Sequence, residues 1–431
     1  MIQIGSDAMK TVKIGILGMG TVGSGVYKLL SSEGEYIAHK EGIKIEVKKV
    51  LALNYSIEIP EEKKAKNIDE IANDPEIQII VEVMGGIEPA KSFILKMFQA
   101  GKSVVSANKQ LIANHWAELE HGAKQTKVGF YFEASVGGGI PILRTIEDSL
   151  RANTISSVSA IINGTTNYIL TKMSLEGREY ADVLKEAQKL GYAEADPSAD
   201  VDGYDAMYKL SILASIAFHA RLPIEYIYRE GIRNITKKDM EYAKELGYVV
   251  KLLAIAKRRG NDVELRVHPT MIPLSSPLAN VRDSFNAILL NGSAVGDVMF
   301  YGKGAGDMPT ASAIISDVIH AAITSDQKYV TFENDVGKVS PILYFEKNWE
   351  MAYYIRLLLL DKPGTLSNVT KIMGDHGISI SSVMQKDFQG VFATVIFVTH
   401  KAKEQDVQDA LAEISKIKEV EEICGLIRVE E

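Results

Sequence analysis

The chain has 431 residues and a single cysteine, Cys424, which excludes internal disulfides and any cysteine-ligated metal cluster and fits a reducing compartment. A formal net charge of −8, with no basic stripe interleaved with aromatics, argues against nucleic-acid or acidic-membrane partners. At 46 % hydrophobic and 24 % charged residues the composition is that of an ordinary globular protein with room for two or three domains.

The first ten residues, MIQIGSDAMK, lack the apolar core of a signal peptide, and no later stretch is long enough to span a bilayer. A cytoplasmic location is expected, with Met9 an alternative start. Thr11–Leu17 is a β-branched run leading into Gly18-Met19-Gly20-Thr21-Val22-Gly23, and Val22–Leu30 has helical spacing. Strand, Gly-x-Gly-x-x-Gly, helix is the order a dinucleotide fold needs. Gly18 permits the tight turn, Gly20 lets a pyrophosphate approach the backbone, and Gly23 lets helix and strand pack closely. The phosphates would rest on the helix N-terminus, where free N–H groups favour anions.

The second strand, Ile45–Leu53, should end at the adenosine ribose, where a carboxylate favours NAD and an arginine NADP. Here Asn54, Tyr55 and Ser56 stand there, with Lys63 and Lys64 further on, so the preference stays open. Ile77–Val83 reads as a buried parallel strand, and Pro89 opens a helix to about Ala100. Ser103–Ala107 is a further strand, and Lys109 follows its carboxyl end, where open parallel sheets bind ligands. Lys109 is therefore either a site residue or a solvated loop lysine. A helix with Trp116 and a strand Val128–Ala134 lead into Ser135-Val136-Gly137-Gly138-Gly139-Ile140-Pro141. Glu133 and the exposed backbone after it read either as a flexible hinge or as oxygen ligands for a hard cation.

Beyond Pro141 the pattern changes to α+β. A helix near Ile142–Leu150, a strand Ile155–Ile162, a helix opened by Asn163-Gly164-Thr165-Thr166-Asn167 and an amphipathic helix Tyr180–Leu190 come first. Gly191–Lys209 then gathers Glu194, Asp196, Asp200, Asp202, Asp205 and Lys209 ahead of the uncharged run Leu210–Phe218, which reads as a buried helix. Asp205 and Lys209, four apart, share one face of that helix. The pair is either a surface ion pair or a tuned proton-transfer site, since an ammonium at the mouth of an apolar helix is partly desolvated.

A helix Asp239–Leu246 and strands Val249–Lys257 (equally readable as helix) and Val263–Met271 follow. A second glycine run, Tyr301–Asp307, has no Walker pattern and precedes an apolar helix Thr310–Thr324. After an irregular stretch, Tyr353–Leu360, Thr365–His376, Ile378–Gln385, Val391–Val398, Glu404–Ile414 and Val420–Val429 read as β-α-β-β-α-β, the ferredoxin-like order. This module has no nucleophile near a base, so a regulatory or dimerisation role is its default. The expected class is α/β. A Rossmann-type domain spans 11–140 plus the helix 310–325, an α+β substrate and dimerisation domain spans 141–310, a linker 326–351, and the ferredoxin-like module 352–431.

The run Ala187-x-x-x-Gly191-Tyr192-Ala193, Asp196-Pro197, Asp200-Val201, Gly203, Asp205 and Lys209 resembles the signature of homoserine dehydrogenases. GILGMGTVGSG, SANK, EASVGGGIP and NGTTNYIL match further motifs of that family, over roughly residues 11–325. Residues 353–425, with LLLLDKPGTL, resemble an ACT domain, the amino-acid-sensing module attached to many of these enzymes.

The resemblance implies NAD(P)-dependent interconversion of L-homoserine and L-aspartate 4-semialdehyde in threonine and methionine biosynthesis. It implies Lys209 as acid/base, Lys109 assisting beside nicotinamide and substrate, Glu194 holding the substrate amino group, and Asp205 as a second acid. Asp196, Asp200 and Asp202 would be loop-shaping and solvated. It places Gly18, Gly20, Thr21, Val22, Gly23, Lys109 and Gly306 around the cofactor. Glu133, Val136, Gly138 and Ile140 match a monovalent-cation site, written as sodium. An amino-acid effector (threonine by expectation) and a dimeric or tetrameric assembly are likewise implied. Unlike many relatives, this chain lacks an arginine in LALNYS, which weakens NADP specificity. A thiol-dependent semialdehyde dehydrogenase is excluded because the lone cysteine lies in the terminal module. A non-catalytic nucleotide-binding amino-acid sensor is the rival from another class, and the retention of both lysines and both acids argues against it.

Overall fold

The computed structural model describes residues 9–324, 329, 332–334 and 342–430. The segment before Met9 and part of the expected linker lie outside them. The chain forms two compact units, one built from residues up to Ile155 with Tyr208–Glu225 and 292–341, the other from Ser156–Met207, Tyr226–Asn291 and 342–431.

The first unit is organised on a parallel sheet of β1 (Lys10–Met19), β2 (Ile43–Tyr55), β3 (Ile77–Glu82), β4 (Ser103–Ser106) and β5 (Phe130–Tyr131), in the order β2-β1-β3-β4-β5. Helices α1 (Thr21–Glu41), α2 (Ile68–Ala72), α3 (Ala90–Gln99) and α4 (Lys109–Thr126) connect the strands. The inner strands are largely apolar because both faces are covered, while the edge strand β2 carries Lys44, Glu46, Lys48 and Lys49. Ile14, Ile16, Val26, Ile79 and Val81 share one core with Ala311, Ile314, Ile315 and Val318 of the helix Asp307–Ile323. Leu17, Ile80, Ile94, Phe98, Leu111 and Leu119 form the core on the other face. Chain order reverses between β1 and β3, so a crevice opens at their carboxyl ends, the place where such sheets bind ligands.

One local expectation gives way here. The expected strand Val128–Ala134 shrinks to Phe130–Tyr131, because the Val128 N–H is taken by Ala123 and the chain turns at Phe132–Ser135. The expected helix Ile142–Leu150 is present over residues 143–149, with a wider, π-type turn at Thr145–Ser149.

In the second unit a long sheet runs in the order Phe285–Gly292, Ile155–Ile161, Tyr248–Arg259, Asp262–Pro273, Val420–Val429, Glu350–Leu360, Phe392–Thr399, Ile380–Gln389. Tyr248–Arg259 is a strand, paired in unbroken antiparallel register from Tyr248↔Pro273 to Arg259↔Asp262, with Gly260 (φ 65°) turning the hairpin. The strand Phe285–Gly292, and in the first unit the strand Gly296–Lys303, are not predicted by the sequence pattern. The terminal module has the expected β-α-β-β-α-β order around a core of Tyr353, Leu357, Val369, Met373, Phe397 and Val407. Its last strand pairs in parallel with Asp262–Pro273 through Arg428↔Thr270 and Val429↔Met271, so the module's sheet continues that of the unit's other half. Among the described residues no helix is long and apolar enough to cross a membrane.

Candidate active site

The three fingerprint glycines do three different jobs. Gly18 has φ +102°, in the left-handed region, and a Cβ there would lie 2.7 Å from the Val83 carbonyl oxygen. A Cβ on Gly23 would lie 2.2 Å from the Gly18 carbonyl oxygen, so the first turn of α1 rests directly on the strand end. Gly20 faces open space within 4 Å. Gly20 also caps α1, with Thr21 and Val22 as its first residues; no side chain caps this N-terminus and no acid stands in its first turn. Backbone N–H groups and the helix dipole there suit a pyrophosphate. A fourth glycine matters as well: a Cβ on Gly25 would meet the Asp307 carbonyl oxygen at 2.5 Å, which presses α1 against the helix start just after Gly306. Gly306 itself caps that helix at φ +123°.

The rim beside the crevice is built by a carboxylate that sequence reasoning passed over. Glu82 is fully buried at the end of β3 and accepts hydrogen bonds from the Ser106 hydroxyl (2.6 Å) and the Met84 N–H (2.9 Å). Burial holds its carboxyl above the usual range against the pull of those donors. Ser106 Oγ accepts from the Asn108 N–H, and Asn108 Nδ2 donates to the Gly86 carbonyl at 2.6 Å. Asn108 also caps α4 through the Leu111 N–H, which makes Lys109 the first residue of that helix at the sheet's carboxyl edge. The signal was available as a lone acid closing the mostly apolar strand IQIIVE.

Glu133 is buried, and its two carboxylate oxygens accept from the Leu143 (2.9 Å) and Arg144 (2.7 Å) N–H groups. Its own N–H donates to Asp317 Oδ2 at 2.9 Å, and Arg144 pairs with Asp317 through the other oxygen. Burial raises the Glu133 carboxyl and pushes Asp317 up to about 7. The backbone bonds holding the following loop end on the carbonyls of Phe132, Glu133, Gly137 and Lys303, a set that contains none of Val136, Gly138 and Ile140. A Cβ on Gly138 (φ +53°) would lie 2.4 Å from the Gly304 carbonyl, so the two glycine runs are in backbone contact. Of this loop, residues 133–138 and Ile140 are buried while Gly139 and Pro141 are exposed, and the Gly139 N–H ties it to the Lys303 carbonyl at 3.0 Å.

In the acid-rich loop, Glu194 is exposed in the turn before Pro197, and Gln188 Nε2 donates to its carbonyl at 3.0 Å. Asp196 accepts from the Ser198 N–H (3.1 Å) and hydroxyl (2.5 Å) at the start of the short helix Ser198–Val201. Asp202 is gripped by the Arg233 guanidinium, so it is held rather than freely solvated. Asp205 and Lys209 lie one turn apart on the helix Tyr204–Phe218, 6 % and 8 % exposed, which removes the reading of an ordinary surface ion pair. Asn163, unremarked beyond its motif, binds this loop: its Nδ2 donates to Asp205 (2.9 Å) and Asp200 (2.7 Å). Its Oδ1 accepts from the Thr166 N–H at 2.8 Å, capping the helix Gly164–Glu176. The arrangement presents a buried carboxylate and a buried ammonium on one helix turn, a pairing suited to holding a cationic group and moving a proton.

Comparison with known proteins places the chain in a family. Residues 141–319 match the homoserine dehydrogenase family model, residues 18–133 its NAD-binding domain and residues 353–419 the ACT domain. The homoserine dehydrogenase of Pseudomonas aeruginosa is 43 % identical over 98 % of this chain and all of its own length. A crystal structure of a homoserine dehydrogenase from Thiobacillus denitrificans superposes with a TM-score of 0.91 at 40 % identity, covering 98 % of this chain and 99 % of that one. A hyperthermophilic archaeal homoserine dehydrogenase in complex with NADPH gives a TM-score of 0.63 at 28 % identity, over 74 % of this chain and all of that one. The chain belongs to the homoserine dehydrogenases, NAD(P)-dependent oxidoreductases, and carries their C-terminal ACT domain.

Proposed function

We propose that the chain interconverts L-homoserine and L-aspartate 4-semialdehyde at a site carried by the helix Tyr204–Phe218. Lys209 is the acid/base, Lys109 assists it, and Glu194 and Asp205 receive the substrate's amino group. The observation that supports this most is the burial of Asp205 and Lys209 on one turn, with Asn163 fixing the carboxylate. Hydride delivery to the aldehyde builds negative charge on its oxygen; a buried ammonium stabilises that charge and supplies the proton. In the reverse direction the same lysine takes the hydroxyl proton.

The dinucleotide, when bound, supplies the hydride. The residues fit it: Gly20 leaves space for the pyrophosphate, the uncapped N-terminus at Thr21 and Val22 offers N–H donors, and Gly18 and Gly23 keep the turn close. The NADPH complex of the archaeal relative supports the phosphorylated cofactor, while the absence of an arginine at Asn54–Ser56 supports NAD use as well. Rates with NADH and NADPH at matched concentrations decide between them.

Glu133 with the carbonyls of Val136, Gly138 and Ile140 would hold a sodium ion, which ties the loop between the two glycine runs. The ACT domain would bind an amino acid, threonine by family expectation, in a cytoplasmic dimer or tetramer. The test of the site is kinetic. Glu194→Gln should raise KM for homoserine and leave KM for the dinucleotide near its original value; the opposite pattern overturns its role.

A further inference from the structure

We infer that Glu230 is a positioning residue for the substrate loop, tied to the ACT domain by Arg428, so that the ACT domain is structurally part of what sets substrate affinity. The inference rests on the assignment of Asp205 and Lys209 to the substrate site. Arg428 lies in the last strand of the ACT domain and is 1 % exposed. Its guanidinium pairs with Glu404 at 2.6 Å, at the start of the ACT helix Glu404–Ile414, and also pairs with Glu230 and bonds the Tyr228 hydroxyl at 2.8 Å. Tyr228 in turn donates to Glu230 at 3.0 Å. One buried cation therefore joins the ACT domain to the segment Tyr228–Gly231.

That segment grips the acid loop. Tyr228 and Arg229 pair with Arg266 and Val267, and the Glu230 N–H donates to the Val267 carbonyl at 2.7 Å. Arg229 bonds the Asp202 carbonyl and stacks on Tyr204, 3.6 Å from its ring centre. A Cβ on Gly231 would lie 2.3 Å from the Val201 carbonyl, and the Ile232 N–H donates to that carbonyl at 2.8 Å. Gly203 (φ +82°) is enclosed by Val267, Arg229 and the Glu230 carbonyl. Residues Val201–Tyr204 are thus held from one side by Arg229–Ile232, and they immediately precede Asp205. A movement of Glu230 is transmitted in two residues to the start of the catalytic helix, because packed backbone at this spacing cannot absorb it.

The experiment uses the full chain carrying Glu230→Gln or Tyr228→Phe. Arg428 keeps Glu404 in both, so no buried charge is stranded and both variants should fold; thermal unfolding checks this. Each variant should raise KM for homoserine by about threefold to tenfold, with kcat and KM for the dinucleotide within about twofold, the pattern of lost ground-state placement. Lost stability alone would lower active enzyme and apparent kcat, not KM. Homoserine KM within about twofold in both folded variants, or a fall in kcat alone, overturns the inference. Lys209→Ala assayed alongside separates the two ideas. If it is inactive while Glu230→Gln is unaltered, only the positioning role fails; if it remains active, the site assignment fails first.

Discussion

Asn163 and Asp205 are joined by a hydrogen bond of 2.9 Å between two buried side chains, 42 positions apart in sequence. The same amide nitrogen reaches Asp200 at 2.7 Å, so one asparagine fixes two acids at the foot of the catalytic helix. Removing it leaves a buried carboxylate short of a donor. Such a loss costs about 1.5–3 kcal/mol of stability, and the displaced carboxylate should lower kcat/KM by roughly tenfold to a hundredfold. Asn163→Ala should show that fall in steady-state kinetics with homoserine, with dinucleotide affinity retained.

The fingerprint glycines should separate by mutation. Gly20→Ala adds a methyl group in open space, so the fold is kept and the loss falls on dinucleotide binding. Gly23→Ala drives a methyl group to 2.2 Å from a backbone oxygen and must displace the turn or the helix. Dinucleotide titration and thermal unfolding read both effects: Gly20→Ala changes affinity alone, and Gly23→Ala changes both.

Much of this was legible in the sequence because it is local. The dinucleotide fingerprint sits where turn chemistry and helix start must coincide, and the ACT order follows from alternating strand and helix periods. Non-local relationships were not legible. Glu82 reads as an odd acid in a strand until Ser106 and the Met84 N–H are seen around it. The pairing of Arg428 with Glu230 spans 198 positions and depends on the strand Val420–Val429 adding to Asp262–Pro273. Period and propensity name a strand without naming its partner. The strand Val128–Ala134 is shorter than its residues predict because several of them serve a helix end and a turn instead.

Stability should depend on Lys251 at alkaline pH. Lys251 is 2 % exposed and donates to the Val281 carbonyl (2.5 Å) and Asn167 Oδ1 (3.0 Å). Burial pushes its ammonium down to about 8, against 10.5 for the free side chain. Between these values the unfolded chain binds the extra proton, so this group makes stability rise with pH across that window. The interval corresponds to roughly 3 kcal/mol. Denaturant unfolding of wild type and Lys251→Met from pH 8 to 10.5 should show wild type gaining on the variant as pH rises.

The proposed sodium site has a readout independent of turnover. At constant ionic strength, exchanging sodium for a bulky organic cation should lower the thermal midpoint by a few degrees, as loss of a ligand bound only to the folded state does. Glu133→Gln should remove that response. It should also cost stability in either salt, since its amide would present a donor to the Leu143 or Arg144 N–H.

The most direct measurement is the turnover of Lys209→Ala, with folding checked by unfolding and dinucleotide binding. The account predicts a fall in kcat of about two orders of magnitude or more, the scale of lost acid–base help, with dinucleotide affinity unchanged. A folded Lys209→Ala protein that turns over homoserine at near the wild-type rate would contradict it.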